Sequence, residues 1–311
     1  MKLLQLPPSE LRRQLASQGI WLRTGPFSLR IRSHIDSIAE GLSELYGQFE
    51  VRNPHETFAD FHVDVDSHIS LRHWLSPRVN FSFDSVEPFK PLPLEQAYPM
   101  LERGLSWCVS AHAHQYLMIH AAVVEKDGRV AMLAAPAGSG KSTLVAGLVL
   151  SGWRLLSDEL ALIDRKTGWI HPLPRPIGLG NESIAMISAF SPDAFLYRGS
   201  HDKAKNTVAY LRPPKESVQR QHEPAQPGWI IFPKWVVDGE PELLPRSKQQ
   251  AFRFLTQYAF NYTRLGAEAF RVCRELIQQV DYFDFEYSRL EQAVAAFNRL
   301  AASVTTSEAG N

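Results

Sequence analysis

The fold is decided by one stretch of the chain, which reads Val130-Ala131-Met132-Leu133-Ala134-Ala135-Pro136-Ala137-Gly138-Ser139-Gly140-Lys141-Ser142-Thr143. The apolar run 130–134 predicts a buried strand, and 142–150 predicts a helix that ends at Ser151-Gly152. A loop of small residues connects them. The stretch therefore predicts a strand, a glycine-rich turn and a helix in direct succession, as in an α/β unit.

The connecting loop fits the phosphate-binding pattern G-x-x-x-x-G-K-[ST], except that alanine occupies the first position. Glycines permit backbone angles that a side chain would obstruct, so that successive N–H groups and the positive end of the helix can bind phosphate oxygens. Lys141 is expected to reach the β- and γ-phosphates, and Ser142 to place its hydroxyl on Mg²⁺. The predicted ligand is ATP with Mg²⁺, and the predicted binding residues are Ala135, Pro136, Ala137, Gly138, Ser139, Gly140, Lys141, Ser142 and Thr143.

Two acidic residues follow the next apolar strand. The run 153–156 predicts that strand, and Asp158 and Glu159 come at its end. In phosphate-loop enzymes an acid at such a strand end serves the metal or the nucleophile. Successive side chains within a strand point opposite ways, but at a strand end both could face one site. Asp158 and Glu159 are therefore candidate site residues, and a solvated turn is the alternative.

Composition and charge exclude some classes of function. Lys+Arg and Asp+Glu number 33 each, so the basic excess typical of nucleic-acid binders is missing. Cys108 and Cys273 are far apart without metal-type spacing, which favours buried free thiols in a reducing compartment. No apolar run approaches the roughly 20 residues of a membrane span. We therefore expect a cytoplasmic protein that binds neither nucleic acid nor membrane.

Pro91 and Pro93 mark a boundary between two parts of the chain. Residues 1–93 predict a small α+β module, 94–304 the catalytic domain, and 305–311 a disordered tail. The elements predicted for the module are helices at 9–18 and 34–48 and strands at 20–23, 27–31, 58–68 and 79–83.

The catalytic region predicts further elements. Asp127-Gly128 is a hairpin signal between two strands. Residues 197–228, rich in Pro, Lys, Arg and His, predict a long mobile loop. The other predicted elements are helices at 94–115, 247–278 and 288–302 and strands at 121–125, 160–163 and 229–232.

One cluster superficially resembles a metal site. Asp60, His62, Asp64, Asp66 and His68 alternate with apolar residues along one predicted strand. Alternate strand residues lie roughly 6–7 Å apart, too far for several to share one ion without help from elsewhere. A polar outer face of a half-buried strand is the favoured interpretation.

Three motifs together resemble the catalytic core of HPr kinase/phosphorylase. They are His120-Ala121, the loop, and the segment 152–159, which reads Gly-Trp-Arg-Leu-Leu-Ser-Asp-Glu. The resemblance covers about residues 118–165, and the whole chain looks most like the divergent kinases of the type HprK-related kinase A. It implies a phosphoenolpyruvate carboxykinase-like α/β core. It also implies Asp158 as general base, His120 at the active site, Lys141 on phosphate and Ser142 on the metal.

The sequence departs from that family at several positions. Ala121 replaces a glycine, and Glu159 replaces a second aspartate. The family's metal-binding glutamate would fall at Arg175, so Glu159 or Glu182 is the candidate substitute. The arginine-rich signature that supports dephosphorylation is not recognisable.

The function hypothesis is an ATP-dependent kinase that acts on a hydroxyl, by resemblance a serine, of a protein or peptide. Asp158 would take the hydroxyl proton, with Lys141 and His120 as catalytic companions. Arg175, Lys203 and Lys205 are candidate clamps for phosphate or for an acidic acceptor. An ATP-hydrolysing regulatory or binding protein and a small-molecule kinase remain alternatives, and assembly into a homo-oligomer is left open.

Overall fold

The structure is a computed structural model that describes residues 1–53, 58–67, 77–136, 138–198 and 208–308. Within these ranges the protein is mixed α/β, with several sheets and helices. None of the helices in the described ranges is both long enough and apolar enough to cross a membrane.

Helices and strands alternate through most of the described chain. The helices are α1 (Pro8–Ala16), α2 (Asp36–Leu45), α3 (Ala97–His112), α4 (Lys141–Leu150), α5 (Asn181–Phe190), α6 (Lys215–Gln219), α7 (Lys248–Tyr258), α8 (Tyr262–Leu265), α9 (Ala267–Gln279) and α10 (Leu290–Glu308). The strands are β1 (Ile20–Thr24), β2 (Phe27–Arg32), β3 (Phe61–Ser67), β4 (Arg78–Phe83), β5 (Leu92–Pro93), β6 (Tyr116–His120), β7 (Ala122–Lys126), β8 (Arg129–Leu133), β9 (Arg154–Ser157), β10 (Leu160–Asp164), β11 (Ile170–His171), β12 (Ile177–Leu179), β13 (Leu196–Arg198), β14 (Ala209–Leu211), β15 (Gln226–Trp235), β16 (Glu242–Pro245) and β17 (Asp281–Tyr287).

Contacts divide the chain into two compact units. The first contains Met1–His112, Arg175–Asn181 and Phe195–Gln219. The second contains Ala113–Pro174, Glu182–Ala194 and the described residues from 220 onward. The boundary therefore follows α3, a helix that the sequence assigned to the catalytic domain, and two later segments return to the first unit.

The first unit is built on a five-stranded sheet of order β1-β2-β3-β4-β5. Neighbouring strands are antiparallel except β2 and β3, which are parallel. Burial alternates strictly along β1 and β2, since one face packs on the core and the other meets solvent. The strands and helices predicted for the N-terminal module are confirmed, with bounds shifted by a few residues.

The acidic side chains of β3, and Asp60 just before it, contact residues of β2 and His34, which follows β2. Asp64 forms an ion pair with Arg32, and Asp66 accepts from His34 Nδ1 at 2.8 Å. Asp60 accepts from the backbone N–H of Ser28 at 2.7 Å. Within the described ranges no group of three or more His, Cys, Asp or Glu is placed to hold a metal ion, and residue 68 lies outside them.

The second unit is organised by a six-stranded sheet of order β16-β17-β15-β8-β7-β9. Strand β7 is antiparallel to both β8 and β9, so β8 and β9 run in the same direction. Strands β15 and β17 are parallel to β8. Four strands, β8, β9, β15 and β17, therefore end at one edge of the sheet.

Both faces of the central strands are covered. Val130 and Met132 of β8 join an apolar cluster with residues of α7 and α9, such as Leu255 and Leu276. The intervening Ala131, whose side chain points to the opposite face, is also fully buried. Such strands read as continuous apolar runs, which explains why 130–134 was recognisable as a buried strand from sequence.

The hairpin that joins β7 to β8 is confirmed. Asp127 and Gly128 both have positive φ, 51° and 84°. This is the backbone of a tight two-residue turn, for which Asp-Gly is a preferred pair.

Other predictions were wrong in detail. The predicted helix 247–278 is three helices, α7 to α9, interrupted at 259–261 and at Gly266, which has a φ of 57°. The predicted loop 197–228 contains β14 and α6 and the start of β15, and 199–207 lies outside the described residues. Helix α10 continues through 305–308, where a disordered tail was expected. Strands β6 and β17 were not predicted.

Both cysteines are buried free thiols, as predicted. Burial raises the pKa of Cys108 and of Cys273 to about 12. Neither thiol is therefore ionised near neutral pH.

A buried ion pair joins β7 to β9. The Nε of Arg154 contacts the carboxylate of Glu125, and these side chains are each 4% exposed. Glu125 also accepts from the N–H of Gly128 at 2.6 Å, and Arg154 donates to the carbonyl of Glu223 at 3.1 Å. The pair thus ties the turn between β7 and β8 to the neighbouring strand.

We expect Arg154→Leu to lower the free energy of unfolding by up to about 3–5 kcal/mol, because the buried Glu125 would lose its closest cationic partner and keep only the longer contact with Arg220 at 3.7 Å. Urea unfolding followed by circular dichroism measures this loss. Arg165→Leu is the matched control, since its ion pair with Glu268 is 30% and 41% exposed. Such a pair contributes about 0–1 kcal/mol. A loss for Arg154→Leu no larger than for the control would contradict the role given to the pair.

Candidate functional site

The glycine-rich loop joins β8 to α4, as the sequence predicted. Gly138 and Gly140 have φ values of 82° and 84°, in the left-handed region that favours glycine. Gly140 is the residue before α4, which begins at Lys141. Ala135 is buried, and residue 137 lies outside the described ranges.

Two distant residues hold the loop from the neighbouring strands. The Tyr287 hydroxyl, at the end of β17, donates to the carbonyl of Gly140 at 3.0 Å. The backbone N–H of Trp235, at the end of β15, donates to the carbonyl of Ser139 at 3.1 Å. Burial raises the pKa of Tyr287, so that its phenol stays protonated and remains a donor.

The first two residues of α4 face the acidic strand end. Lys141 is 9% exposed, and its Nζ donates to the backbone carbonyl of Asp158 at 3.1 Å. The Ser142 hydroxyl lies 3.5 Å from Oδ2 of Asp158. The structure therefore brings Lys141, Ser142 and Asp158 into one cluster.

Strand direction explains this convergence. Because β8 and β9 run the same way on either side of β7, their last residues lie beside the start of β7. Leu133 pairs with Ala122, and Ser157 pairs with Val123. The loop after β8 and the acids after β9 must therefore leave the sheet at the same edge, where ligands bind in open α/β sheets.

His120 approaches the same edge from a different sheet. It ends β6, where it pairs with Leu160, and the N–H of Ala121 bonds to the carbonyl of Glu159 at 3.2 Å. Its ring meets that of Phe260 edge-on at 5.8 Å. Burial and, secondarily, the charge of Lys141 lower the pKa of His120, while Glu159 opposes them. The imidazole is thus neutral near pH 7.

The carboxylate of Glu159 is exposed, unlike the partly buried Asp158. Its charge acts on His120, so the two side chains share one neighbourhood. Magnesium retains several waters and often takes only one or two protein carboxylates besides phosphate. Ser142 and Glu159 each carry oxygen, the donor atom that magnesium takes from proteins.

Helix α5 adds a contact that the sequence did not predict. The Thr143 hydroxyl donates to Oγ of Ser183 at 2.7 Å. Glu182, an alternative metal ligand from the sequence, precedes Ser183 and is exposed. Thr143 therefore supports the start of α4 through its own side chain.

The predicted phosphate clamps behave differently. Arg175 belongs to the first unit, where it contacts Ser106 Oγ and donates to the carbonyl of Glu102 at 3.3 Å. Arg175 is 9% exposed, so its guanidinium is part of the interior of the first unit. Lys203 and Lys205 lie outside the described residues.

Sequence reasoning missed Trp235 and Tyr287. Trp235 lies three residues beyond the predicted strand 229–232, because the observed strand is longer and spans Gln226–Trp235. Tyr287 ends a strand in which Phe283, Phe285 and Tyr287 alternate with acids, a signal of period two that could have identified it. Their link to the loop depends on parallel pairing, which no local pattern reveals.

We expect Gly140→Ala to destabilise the protein more than Gly138→Ala does. Both substitutions force alanine into the left-handed region, at about 1–2 kcal/mol each. A Cβ on Gly140 would also lie 2.5 Å from the Tyr287 hydroxyl, whereas nothing among the described residues lies within 4 Å of one on Gly138. The extra loss is about 1–3 kcal/mol, measured by chemical unfolding. Equal losses would contradict the close approach of Tyr287.

The pKa of His120 should report its two charged neighbours. Lys141→Met is expected to raise it, because a repelling cation is removed, and Glu159→Gln to lower it further. Titration of the imidazole Cε1–H signals by NMR measures both shifts. His171, whose pKa burial also lowers but which faces Asp164, is the internal control. If neither variant moves His120 relative to His171, the proposed neighbourhood is wrong.

The chain matches a known family over part of its length. Residues 99–180 match the family model described as "SynChlorMet cassette protein ScmC". The match includes His120, the glycine-rich loop and Asp158, but neither Trp235 nor Tyr287. A search of curated proteins gives no significant match. The chain is thus similar to this family over its site-bearing segment.

Proposed function

We propose that this protein is an ATP- and Mg²⁺-dependent kinase that transfers a phosphoryl group to a hydroxyl, by resemblance a serine, of a protein or peptide. The observation that carries the proposal is the convergence of Lys141, Ser142 and Asp158 at one sheet edge. A buried ammonium, a metal-binding hydroxyl and a carboxylate are the groups that phosphoryl transfer requires.

The geometry of the described loop residues supports the binding of a triphosphate. Gly138 and Gly140 hold left-handed angles that leave the backbone open to a ligand, and α4 presents its N-terminal end. Lys141 would hold phosphate oxygens, and Ser142 with Glu159 would hold the metal. ATP would supply the phosphoryl group, and Mg²⁺ would neutralise charge on it.

Asp158 would take the proton from the acceptor hydroxyl. Its carboxylate lies 3.5 Å from the Ser142 hydroxyl and its backbone carbonyl accepts from Lys141, and both contacts support a role for Asp158 beside a ligand of the loop. A base placed in this way typically contributes about 10²–10⁴-fold to the rate.

His120 would assist without adding charge. Its lowered pKa keeps the imidazole neutral near pH 7, so it can donate or accept a hydrogen bond beside Lys141 and Glu159. As pH falls through that lowered pKa the ring gains a proton, and activity that depends on the neutral ring is lost.

Two similarities support the proposal. The resemblance to HPr kinase/phosphorylase over about residues 118–165 favours a kinase on a phosphoenolpyruvate carboxykinase-like core. The matched cassette family overlaps that segment, although its description names no reaction. We propose that fold for the second unit on the same grounds.

Asp158→Asn is expected to retain ATP binding but to lower phosphoryl transfer about 10²–10⁴-fold, because the amide cannot accept the proton. Lys141→Ala is expected to abolish productive ATP binding. Asp127→Asn is the matched control, since asparagine suits the positive φ of that turn.

The measurements are calorimetric binding of ATP with Mg²⁺ and transfer of label from γ-labelled ATP to a peptide library. Unchanged transfer by Asp158→Asn would overturn the general-base role. Unchanged binding and turnover by Lys141→Ala would overturn the whole proposal.

A further inference from the structure

An aromatic side chain projects beside the glycine-rich loop without a role in the chemistry above. Trp235 ends β15 and is 46% exposed, although it is large and apolar. Its Cβ would lie 3.2 Å from a Cβ placed on Gly140. The Cβ of Trp235, from which the indole projects, therefore lies beside the loop that the proposed function assigns to triphosphate.

The indole is also held in one orientation. Its backbone N–H is bonded to Ser139, and its ring N–H donates to the carbonyl of Ser288 at 3.1 Å. With both ends bonded, the exposed ring surface needs little further ordering on binding. A preorganised aromatic surface contributes more to affinity than a mobile one, since less conformational entropy is lost.

We infer that Trp235 is the platform on which the base of the bound nucleotide stacks. The inference rests on the proposed function, because it assumes that the loop holds a nucleoside triphosphate. A ribose separates the base from the phosphates, so the base must be bound by residues that border the loop. Trp235 borders it through Ser139 and Gly140, and a planar base matches the exposed face of an indole.

The surroundings of Trp235 favour stacking over recognition by charge. Val237, in the turn two residues further along the chain, is also apolar and is 73% exposed. Nearby Lys234 is engaged with Glu286 at 2.8 Å. Stacking on an aromatic side chain accepts any base, because every base has a π-face. The structure thus assigns affinity for the base to Trp235, with little discrimination between purines.

The test compares ATP, GTP and inorganic tripolyphosphate, each with Mg²⁺, by calorimetry on the full chain. Trp235→Ala is expected to weaken ATP and GTP binding about 5- to 100-fold, in keeping with the stacking contribution of one aromatic side chain. Tripolyphosphate, which has no base, should bind within about 2-fold of the wild type. Trp235→Phe should retain most of the nucleotide affinity, because it keeps an aromatic face.

Trp169→Ala is the matched control, since Trp169 is another exposed tryptophan of the same unit, 40% exposed. It should bind all three ligands as the wild type does. Addition of ATP should also change the tryptophan fluorescence of the wild type and of Trp169→Ala, but much less that of Trp235→Phe.

The outcomes distinguish a failure of the stacking inference from a failure of the proposed function. If the wild type binds ATP and Trp235→Ala binds it equally well, the platform is refuted while the loop assignment stands. If Trp235→Ala loses ATP and tripolyphosphate to the same extent, Trp235 merely supports the loop, and the inference is again refuted. If the wild type binds none of the three ligands, the proposed function fails and the inference fails with it.

Discussion

The direction of the strands on either side of β7 is the constraint on which the candidate site depends. An antiparallel neighbour on each side makes β8 and β9 parallel to each other, and their carboxyl ends meet at one edge. Strand pairing thereby brings together two segments that a whole helix separates in sequence. Lys141 and Asp158 are neighbours because the pairing of β7 with β8 and β9 places the segments that follow those two strands side by side.

Within that frame, the loop is stabilised by backbone atoms more than by its own side chains. Two carbonyls of the loop, those of Ser139 and Gly140, accept bonds from residues at the ends of β15 and β17. These bonds fix the loop at its junction with α4, and a further bond, from the N–H of Ser139 to the carbonyl of Pro136 at 3.4 Å, lies within the loop itself. The absence of a Cβ at Gly140 is what lets Tyr287 approach.

Much of this could be predicted from sequence, and the rest could not for physical reasons. The loop, the hairpin turn and the acids at 158 and 159 are local patterns whose chemistry dictates their conformation. A division into two parts was predicted, but not the return of 175–181 and 195–219 to the first unit, because no local signal marks a return. Arg175 lies in one of these returning segments. Its charge suggested a phosphate clamp, whereas tertiary contacts place it in a buried network with Glu102.

The hydrogen bond from Tyr287 to Gly140 joins residues that are 147 positions apart in the sequence. The structure that holds the loop therefore extends far beyond the sequence motif. A fragment ending at residue 180 would carry every residue by which the site is recognised, and it would still lack both strands that hold the loop. The residues that identify the site and the residues that shape it thus lie in different parts of the chain. Substitutions in β15 and β17 can alter the site while leaving its signature intact, so divergence of function in such chains can begin outside the motif.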